Sequence, residues 1–445
     1  MDHFLYKDGR LYCEEVALEA IAERVGTPCY VYSRRTLLDH YQRLAEAFAP
    51  LDPLICYSIK SCSNLAICRT LAEAGAGMDL VSGGELHRAQ LAGVDPARCV
   101  YAGVGKTDGE IRQALEASVG WFNVESESEF RTISALAQET SRRCRAALRV
   151  NPDVNPGTHR YTTTGKRETK FGVDIERAEA FFETYGRDRN CVLVGIHLHI
   201  GSGVNSTEPF VTSMRKICGL IDALVAGGHR IEMLDIGGGF GADYETHQAP
   251  PASEYAAQLV PLLVGRVKKG LQIVIEPGRT ITANAGVLLL RVLFVKSSGR
   301  RRFVICDGGM NTLLRPSHYG AFHFIWPCRV RAEHVPPHRR ERMDLAGLVE
   351  VDVVGPICES GDFLAQDRHL PPLGRGDLLV VFSTGAYGMV MASRYNSMPL
   401  PAEVLVEGRS ARVVRHRERY DDLTAHEREP AAIFASDGPR RMLDG

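Results

Sequence analysis

The sequence predicts an α/β protein that combines a closed eight-stranded β/α barrel with a following β-rich domain. From about residue 50, short apolar runs rich in β-branched residues alternate with stretches whose apolar residues recur every three to four positions. This alternation is typical of parallel strands covered by helices. Eight alternations within roughly 230 residues favour a closed barrel over an open sheet. After Ala285 the helical stretches give way to strand-like runs separated by short turns, which indicates a change to β structure.

Each element follows from its own pattern. The predicted barrel strands are the apolar runs 54–59, 77–81, 99–102, 121–124, 146–150, 192–198, 231–236 and 273–275. The predicted helices are the periodic stretches 64–74, 84–92, 109–117, 126–140, 176–185, 207–226 and 253–267. The later strands are 287–296, 302–306, 348–354, 377–382 and 402–406.

These elements divide the chain into four parts. We expect residues 1–30 to join the β-rich domain, 31–284 to form the barrel, 285–427 to form the β-rich domain and 428–445 to be a frayed tail. The segment VPPHRRER at 335–342 is read as a charged loop and, like the tail, is given no function.

Composition restricts the class of function. The 445 residues are 44% hydrophobic with a formal net charge of −1, so a large core is expected but no field that attracts nucleic acid or an anionic membrane. A small-molecule substrate is therefore expected.

The N-terminus lacks a basic segment followed by an apolar run, and no stretch is long enough to span a bilayer, so a cytoplasmic location is expected. The twelve cysteines form no CxxC pair, and most are expected to be reduced core residues.

Lys60 closes the first predicted barrel strand. Reactive groups of such barrels cluster where strands end and the following loops begin. A lysine at that position is a candidate for covalent bonding to a carbonyl group, and the alternative is an ordinary surface lysine.

The sixth strand ends in HLHIGSG, where alternation places His197 and His199 on one face. One of them could stack on a flat ring or act as a base, and a satisfied core histidine is the alternative for His197. No carboxylate–histidine set with zinc spacing accompanies them in the sequence, so no metal is predicted.

Two further loops predict an anion site. The seventh strand ends in DIGGGFG, whose glycines Gly237, Gly238 and Gly239 let backbone N–H groups approach an anion, although a glycine run can also be a simple turn. The eighth ends in EPGR, where Arg279 would bind phosphate and Glu276 would face a cationic partner such as a protonated pyridine nitrogen. Phosphate sites of β/α barrels often use these two loops. Together with Lys60, the set predicts a pyridoxal 5'-phosphate (PLP) site.

Seven motifs carry a resemblance to the fold-type III PLP decarboxylases, which include diaminopimelate, ornithine and arginine decarboxylases and, more distantly, alanine racemase. They are YSIKSCSN around Lys60, MDLVSGGEL from Met78, FNVESESE from Phe122, HIGSG from His199, DIGGGFG from Asp235, EPGR from Glu276 and CESGD from Cys358. The likeness spans nearly the whole chain and implies an alanine racemase-like barrel. The segments that begin at Asn151, Met310 and Gly355 most resemble the members that act on diaminopimelate.

The resemblance implies a role for each matching residue. Lys60 would carry the cofactor, His199 would stack on its ring, Glu276 would meet the ring nitrogen, and Arg279 would bind phosphate. The other expected cofactor contacts are Ser202, Gly237, Gly238, Gly239, Gly278 and Tyr387. The expected substrate contacts are Arg279, Arg315, Tyr319, Glu359 and Tyr387, with Cys358 as the acid near the reacting carbon.

Simpler roles remain open for some of these residues. Arg315 could belong to a surface ion pair, Glu359 to a domain-interface salt bridge, Tyr387 to the packing and Cys358 to the structure alone. In the related enzymes the residues matching Cys358 and Glu359 are lent across a two-fold dimer, so the resemblance also implies a homodimer with shared sites.

The expected reaction is PLP-dependent decarboxylation of meso-2,6-diaminopimelate to L-lysine and CO2, the last step of lysine biosynthesis. One alternative is a decarboxylase for ornithine, arginine or a carrier-bound amino acid. A racemase would need bases on both faces of the ring, and the CESGD motif disfavours it. A non-catalytic PLP-binding protein could be a single barrel, whereas this chain adds the β-rich domain.

Overall fold

The computed structural model describes residues 2–157, 159, 164–165 and 169–429. The chain opens with a small antiparallel sheet, one helix and a fourth strand. These are β1 Phe4–Lys7, β2 Arg10–Cys13, β3 Val16–Ala17, α1 Leu18–Val25 and β4 Cys29–Ser33. The tail from 430 onward, and residues 158, 160–163 and 166–168 of the segment that begins at Asn151, lie outside the described ranges.

The central unit is the predicted barrel. Its strands are β5 Leu54–Ser58, β6 Gly77–Leu80, β7 Cys99–Tyr101, β8 Trp121–Val124, β9 Cys144–Asn151, β11 Cys191–His197, β12 Met233–Asp235 and β13 Gln272–Ile275, with a short β10 Val173–Asp174 beside β9. All neighbours pair in parallel, and pairing of β8 with β9 and of β13 with β5 closes the ring. The eight-stranded closed barrel is therefore confirmed.

Helices surround the barrel, and five of those named next begin at a capping side chain, which is Ser33, Asn64, Ser82, Thr107 or Ser126. They are α2 Arg34–Phe48, α3 Leu65–Glu73, α4 Gly83–Leu91, α5 Asp108–Glu116, α6 Glu127–Glu139, α7 Ala178–Tyr185, α8 Glu208–Ala226, α9 Ala252–Val267 and α10 Arg279–Thr282. Thr107 and Glu110 form a capping box at α5, which satisfies backbone N–H groups that a helix start leaves free. Within the described ranges, no helix combines the length and apolar character needed to cross a membrane.

The C-terminal part is the predicted β-rich structure. It contains β14 Gly286–Ser298, β15 Arg301–Cys306, α11 Arg315–Tyr319, β16 Ile325–Pro327, β17 Val349–Val354, β18 Phe363–Leu370, β19 Leu378–Val381, β20 Ala402–Glu407, β21 Ser410–Arg415 and α12 Tyr420–Leu423. Its sheet runs β18-β17-β15-β14-β4-β20-β21, with β19 joining β14 to β16. The early strand β4 thus lies between two late strands. The sequence prediction missed β16, β18 and β21.

Cysteines occupy the core, as predicted. Ten of the twelve are buried, Cys218 is half-buried, Cys358 is exposed, and none is in a disulfide.

Candidate active site

Lys60 follows β5 in a short 3-10 turn and meets a carboxylate of the neighbouring strand. Its Nζ donates to Asp79 Oδ2 at 2.5 Å, and Ser58 Oγ donates to the same oxygen at 2.6 Å. Burial opposes the charge on Lys60, but Asp79 and Glu276 outweigh that effect and raise its pKa. The other oxygen of Asp79 is buried and has no hydrogen-bond partner. Lys60 is therefore held as an ammonium group at the barrel mouth.

Glu276, after β13, lies in a buried polar cluster with groups from three other strands. Asn123 Nδ2 donates to Glu276 Oε1 and Asp235 Oδ2, each at 3.2 Å. His197 Nε2 lies 3.5 Å from Glu276 Oε2, yet neither of its ring nitrogens has a hydrogen-bond partner. His197 is thus buried beside a carboxylate without being a satisfied core histidine.

The two carboxyl groups of this cluster differ in protonation. Burial, and then the neighbouring Glu276, raise the pKa of Asp235 well above its usual range. Burial acts the same way on Glu276, but His197 and Lys60 outweigh it and hold the pKa of Glu276 below its usual range. Glu276 therefore carries the negative charge that a protonated ring nitrogen would need, and Asp235 stays neutral.

The same cluster corrects the sequence argument about metals. Side-chain ligand atoms of His197, Asp235 and Glu276 lie within 4.8 Å of one another, so carboxylates do accompany this histidine in space. His199 is not a member of this group. A protonated Asp235 is a poor cation ligand, which favours an organic cationic partner.

His199 is half-buried in the loop that follows β11 and is held through its backbone and ring. Thr164 Oγ1 donates to the His199 carbonyl at 2.9 Å and lies 3.2 Å from Nδ1. Burial, followed by Arg149 and Lys60, lowers the pKa of His199 to about 3. The imidazole ring is therefore neutral at physiological pH. A neutral ring can still stack on another flat ring, because stacking does not depend on a charge.

The glycine loop after β12 packs so closely against neighbouring backbone that it has no room for side chains at Gly238 and Gly239. Gly239 has φ of +92°, and a Cβ there would lie 2.2 Å from the Gly201 carbonyl oxygen. A Cβ on Gly238 would lie 2.0 Å from the Glu276 carbonyl oxygen. No described residue accepts a hydrogen bond from the amides of Gly238 or Gly239. The loop therefore offers free donors to an anion, as predicted for phosphate.

Two buried arginines lie beside that loop, and no ion pair within the described ranges neutralises either. Arg279 Nη2 donates to Ser202 Oγ at 2.9 Å and Nη1 donates to Tyr244 Oη at 2.7 Å. Arg315, on α11, donates from Nε to His323 Nε2 at 3.2 Å. Both residues are 7% exposed, so the alternative of a surface ion pair is wrong for Arg315. Two buried cations without a counter-charge form an anion site.

Two predicted tyrosines lie against these arginines. The Tyr387 ring centroid is 4.8 Å from Arg279 Cζ, and the Tyr319 ring centroid is 5.8 Å from Arg315 Cζ. Tyr387 has φ of +54°, and its N–H donates to the Ser61 carbonyl, next to Lys60. A non-glycine residue held in this strained region favours a functional role over simple packing.

Cys358 and Glu359 are exposed and lie on the loop between β17 and β18. The Cys358 N–H donates to Asn396 Oδ1 at 3.0 Å, and Glu359 lies beside Tyr395. Within the described part of the chain, no hydrogen bond links either residue to Lys60 or to the two arginines.

Sequence reasoning missed three polar residues of the site. Asp79 and Asn123 lie on β6 and β8, inside motifs that were quoted but not assigned. Their position on barrel strands was the available signal. Tyr244 lies in the loop after β12, and no local pattern marks it.

The residues present fit PLP. Buried polar atoms without partners occur on Asp79, Asn123 and His197, and the glycine loop would be filled by any Cβ. An amine, an ionised carboxylate, a neutral imidazole and an anion cradle are the groups that this cofactor requires. Those that would hold it are Lys60, His199, Gly237, Gly238, Gly239, Glu276 and Arg279.

Comparison with known proteins gives a consistent result. A family profile described as the pyridoxal-binding domain of pyridoxal-dependent decarboxylases matches residues 34–283. A diaminopimelate decarboxylase of Aquifex aeolicus is 44% identical over 416 residues, covering 94% of this chain and 95% of the relative. One of Pseudomonas aeruginosa is 45% identical over 427 residues, covering 96% and 99%.

Solved structures of similar proteins show the same fold. Diaminopimelate decarboxylase of Helicobacter pylori in complex with L-lysine has a TM-score of 0.85 and 38% identity, covering 92% of this chain and 99% of that one. The enzyme of M. jannaschii in complex with L-lysine has a TM-score of 0.88 and 35% identity, covering 96% and 98%. The chain uses pyridoxal phosphate and belongs to the diaminopimelate decarboxylase family of pyridoxal-dependent decarboxylases.

Proposed function

We propose that this enzyme decarboxylates meso-2,6-diaminopimelate to L-lysine and CO2. The observation that carries the proposal is the pair of buried arginines, Arg279 and Arg315, without a carboxylate partner among the described residues. Diaminopimelate has a second carboxylate that could occupy the space they face. Ornithine and arginine lack that group, so either substrate would leave Arg315 without a counter-charge even when the cofactor phosphate neutralises Arg279.

The cofactor, when bound, supplies an electron-accepting ring that stabilises the charge left at Cα as CO2 departs. Lys60 would provide the amine that holds it, and the ionised Glu276 would keep a proton on its ring nitrogen. His199, which is neutral, would cover one face of that ring. Cys358 Sγ would donate a proton to the reacting carbon, and Glu359 would meet the distal ammonium group.

A homodimer with shared sites is part of the proposal. Cys358 and Glu359 lie on an exposed loop, with the partly exposed Tyr395 beside them. We infer that a second chain presents them to the site, because no hydrogen bond among the described residues links them to Lys60 or to the two arginines. The free cysteines also support a cytoplasmic, reducing location.

The test is a substrate panel. We would load the purified protein with PLP and measure CO2 release from meso-diaminopimelate, L-lysine, L-ornithine and L-arginine at matched concentrations. We expect kcat/KM for diaminopimelate to exceed the others by roughly a hundredfold or more, since a site built for a charged group rejects analogues that lack it. Comparable turnover of ornithine or arginine would overturn the assignment of substrate but not of reaction.

A further inference from the structure

Tyr244 contacts both arginines and has no role in the proposed function so far. Its hydroxyl oxygen accepts from Arg279 Nη1 at 2.7 Å. Its ring centroid lies 5.0 Å from Arg315 Cζ and 5.8 Å from Arg279 Cζ. These distances are within the range of cation–π attraction. One side chain therefore links two guanidinium groups that otherwise repel each other.

The two cations also change Tyr244. Burial would raise the pKa of its hydroxyl, but Arg279 and Arg315 outweigh burial and lower it. A more acidic hydroxyl is a stronger hydrogen-bond donor. Because its oxygen already accepts from Arg279, its proton is available to an anion between the arginines.

The charged loop 335–342, which we call the clasp loop, fixes the segment that carries Tyr244. Thr246 N–H donates to the Arg339 carbonyl at 3.0 Å, and Arg339 N–H donates to Thr246 Oγ1 at 2.8 Å. Glu341 N–H donates to Glu245 Oε1 at 3.0 Å. The clasp loop is thus hydrogen-bonded to the two residues directly after Tyr244.

The clasp loop is itself anchored at a distance from the site. The Arg339 guanidinium donates to Asp2 Oδ2 at 3.0 Å and to the Phe4 carbonyl at 2.9 Å. Its Cζ lies 4.3 Å from the Phe382 ring centroid. These contacts tie Tyr244 to the N-terminal sheet and to the end of β19, so its ring has a defined position.

We propose that Tyr244 is a positioning residue that holds Arg279 and Arg315 around the substrate's distal carboxylate and thereby sets specificity for a substrate with two carboxylates. The inference rests on the proposed function, because that function places a carboxylate between the arginines. It assigns a role to the clasp loop as well, as the element that keeps Tyr244 in place.

The test separates the carboxylate from the rest of the ligand. L-lysine carries a carboxylate that cadaverine, 1,5-diaminopentane, lacks. We would measure the Kd of both by calorimetry on the PLP-loaded wild type and on Tyr244→Phe, and kcat and KM with meso-diaminopimelate. Tyr41→Phe on α2, which also loses a hydroxyl from a buried tyrosine, is the matched control, and melting temperatures monitor folding.

We expect Tyr244→Phe to raise the Kd of lysine and the KM of diaminopimelate about tenfold, the scale of a charge-assisted hydrogen bond. The Kd of cadaverine and kcat should stay within about twofold, and Tyr41→Phe should change none of them. Equal weakening of lysine and cadaverine, or no weakening of either, would overturn the role of Tyr244 alone. A wild type that binds lysine no more tightly than cadaverine would overturn the proposed carboxylate site itself.

Discussion

At the scale of single residues, the ion pair between Lys60 and Asp79 determines what the barrel mouth can do. Asp79 accepts from Lys60 and Ser58 through one oxygen and keeps the other without a partner. The Lys60 amine is therefore charged, and Asp79 fixes its orientation. Its position at the end of β5 is what made Lys60 recognisable from the sequence.

Replacing this amine should abolish the reaction. We expect Lys60→Ala to lose at least about a thousandfold in kcat, since covalent attachment and orientation of the cofactor both depend on it. The visible absorbance of protein-bound PLP should change as well. Lys269→Ala, at an exposed lysine, is the control and should behave like the wild type. Undiminished turnover by Lys60→Ala would end the assignment.

The buried His323 makes the stability of the folded protein depend on pH. Its Nε2 accepts from Arg315, so Nδ1 must carry the ring proton and donate to the Phe382 carbonyl at 2.9 Å. Burial, and then Arg315, lower its pKa to about 3. Between pH 6.5 and about 3 the unfolded chain binds a proton here that the folded chain does not. Stability is therefore lost as the pH falls through this window.

We expect this single histidine to contribute about 2 kcal/mol of destabilisation at pH 5 relative to pH 7.5. Denaturant unfolding of the wild type and of His323→Gln at both pH values measures it. Glutamine can accept from Arg315 and donate to the carbonyl but does not titrate, so the variant should lose less stability at pH 5. Parallel losses in the two proteins would contradict the assignment.

At the scale of elements, the glycine loop after β12 combines two constraints that can be separated. Gly239 has both a positive φ and no room for a Cβ. Gly228 has a φ of +85° but open space around its Cβ position. The same substitution at the two positions therefore compares backbone strain alone with strain plus steric exclusion.

We expect Gly239→Ala to weaken PLP binding at least about tenfold, because the shifted loop would no longer direct its amides at the phosphate. Gly228→Ala should bind PLP normally and lose only about 1 kcal/mol of stability. Fluorescence titration of the apoprotein with PLP measures the affinity. Equal PLP affinities in the two variants would show that the loop is a turn without a role in binding.

Which elements could be predicted depends on whether their signal is local. All eight barrel strands were found because each is a short apolar run, and the first seven are followed by a helical period. The strand β18, FLAQDRHL, was missed because it alternates with charged residues on an open face. Polar residues on barrel strands, such as Asn123, were missed because their role depends on groups more than a hundred positions away.

At the scale of the whole molecule, the pairing of β4 with β14 and β20 joins the N-terminal segment to two strands of the C-terminal β-rich part. The sequence predicts such a junction but not its place, since sheet partners separated by hundreds of residues leave no periodic signal. The proposed sharing of sites also belongs to this scale. Within the described part of the chain no hydrogen bond links Cys358 to Lys60, and we propose that a second chain presents this acid to the site.

Mixing two inactive variants tests this sharing. We expect Lys60→Ala and Cys358→Ala each to be inactive alone. After unfolding and refolding together in equal amounts, half of the dimers should be hybrids with one intact site, which gives about a quarter of wild-type activity. A mixture no more active than its two components would indicate that each chain completes its own site.

The most direct test of the account is incubation of the PLP-loaded protein with meso-diaminopimelate, following CO2 and the amino-acid product together. The account predicts that L-lysine and CO2 form in equal amounts. Absence of lysine while the absorbance of bound PLP is intact would contradict the proposed substrate. The carboxylate that binds between Arg279 and Arg315 would then have to belong to another amino acid.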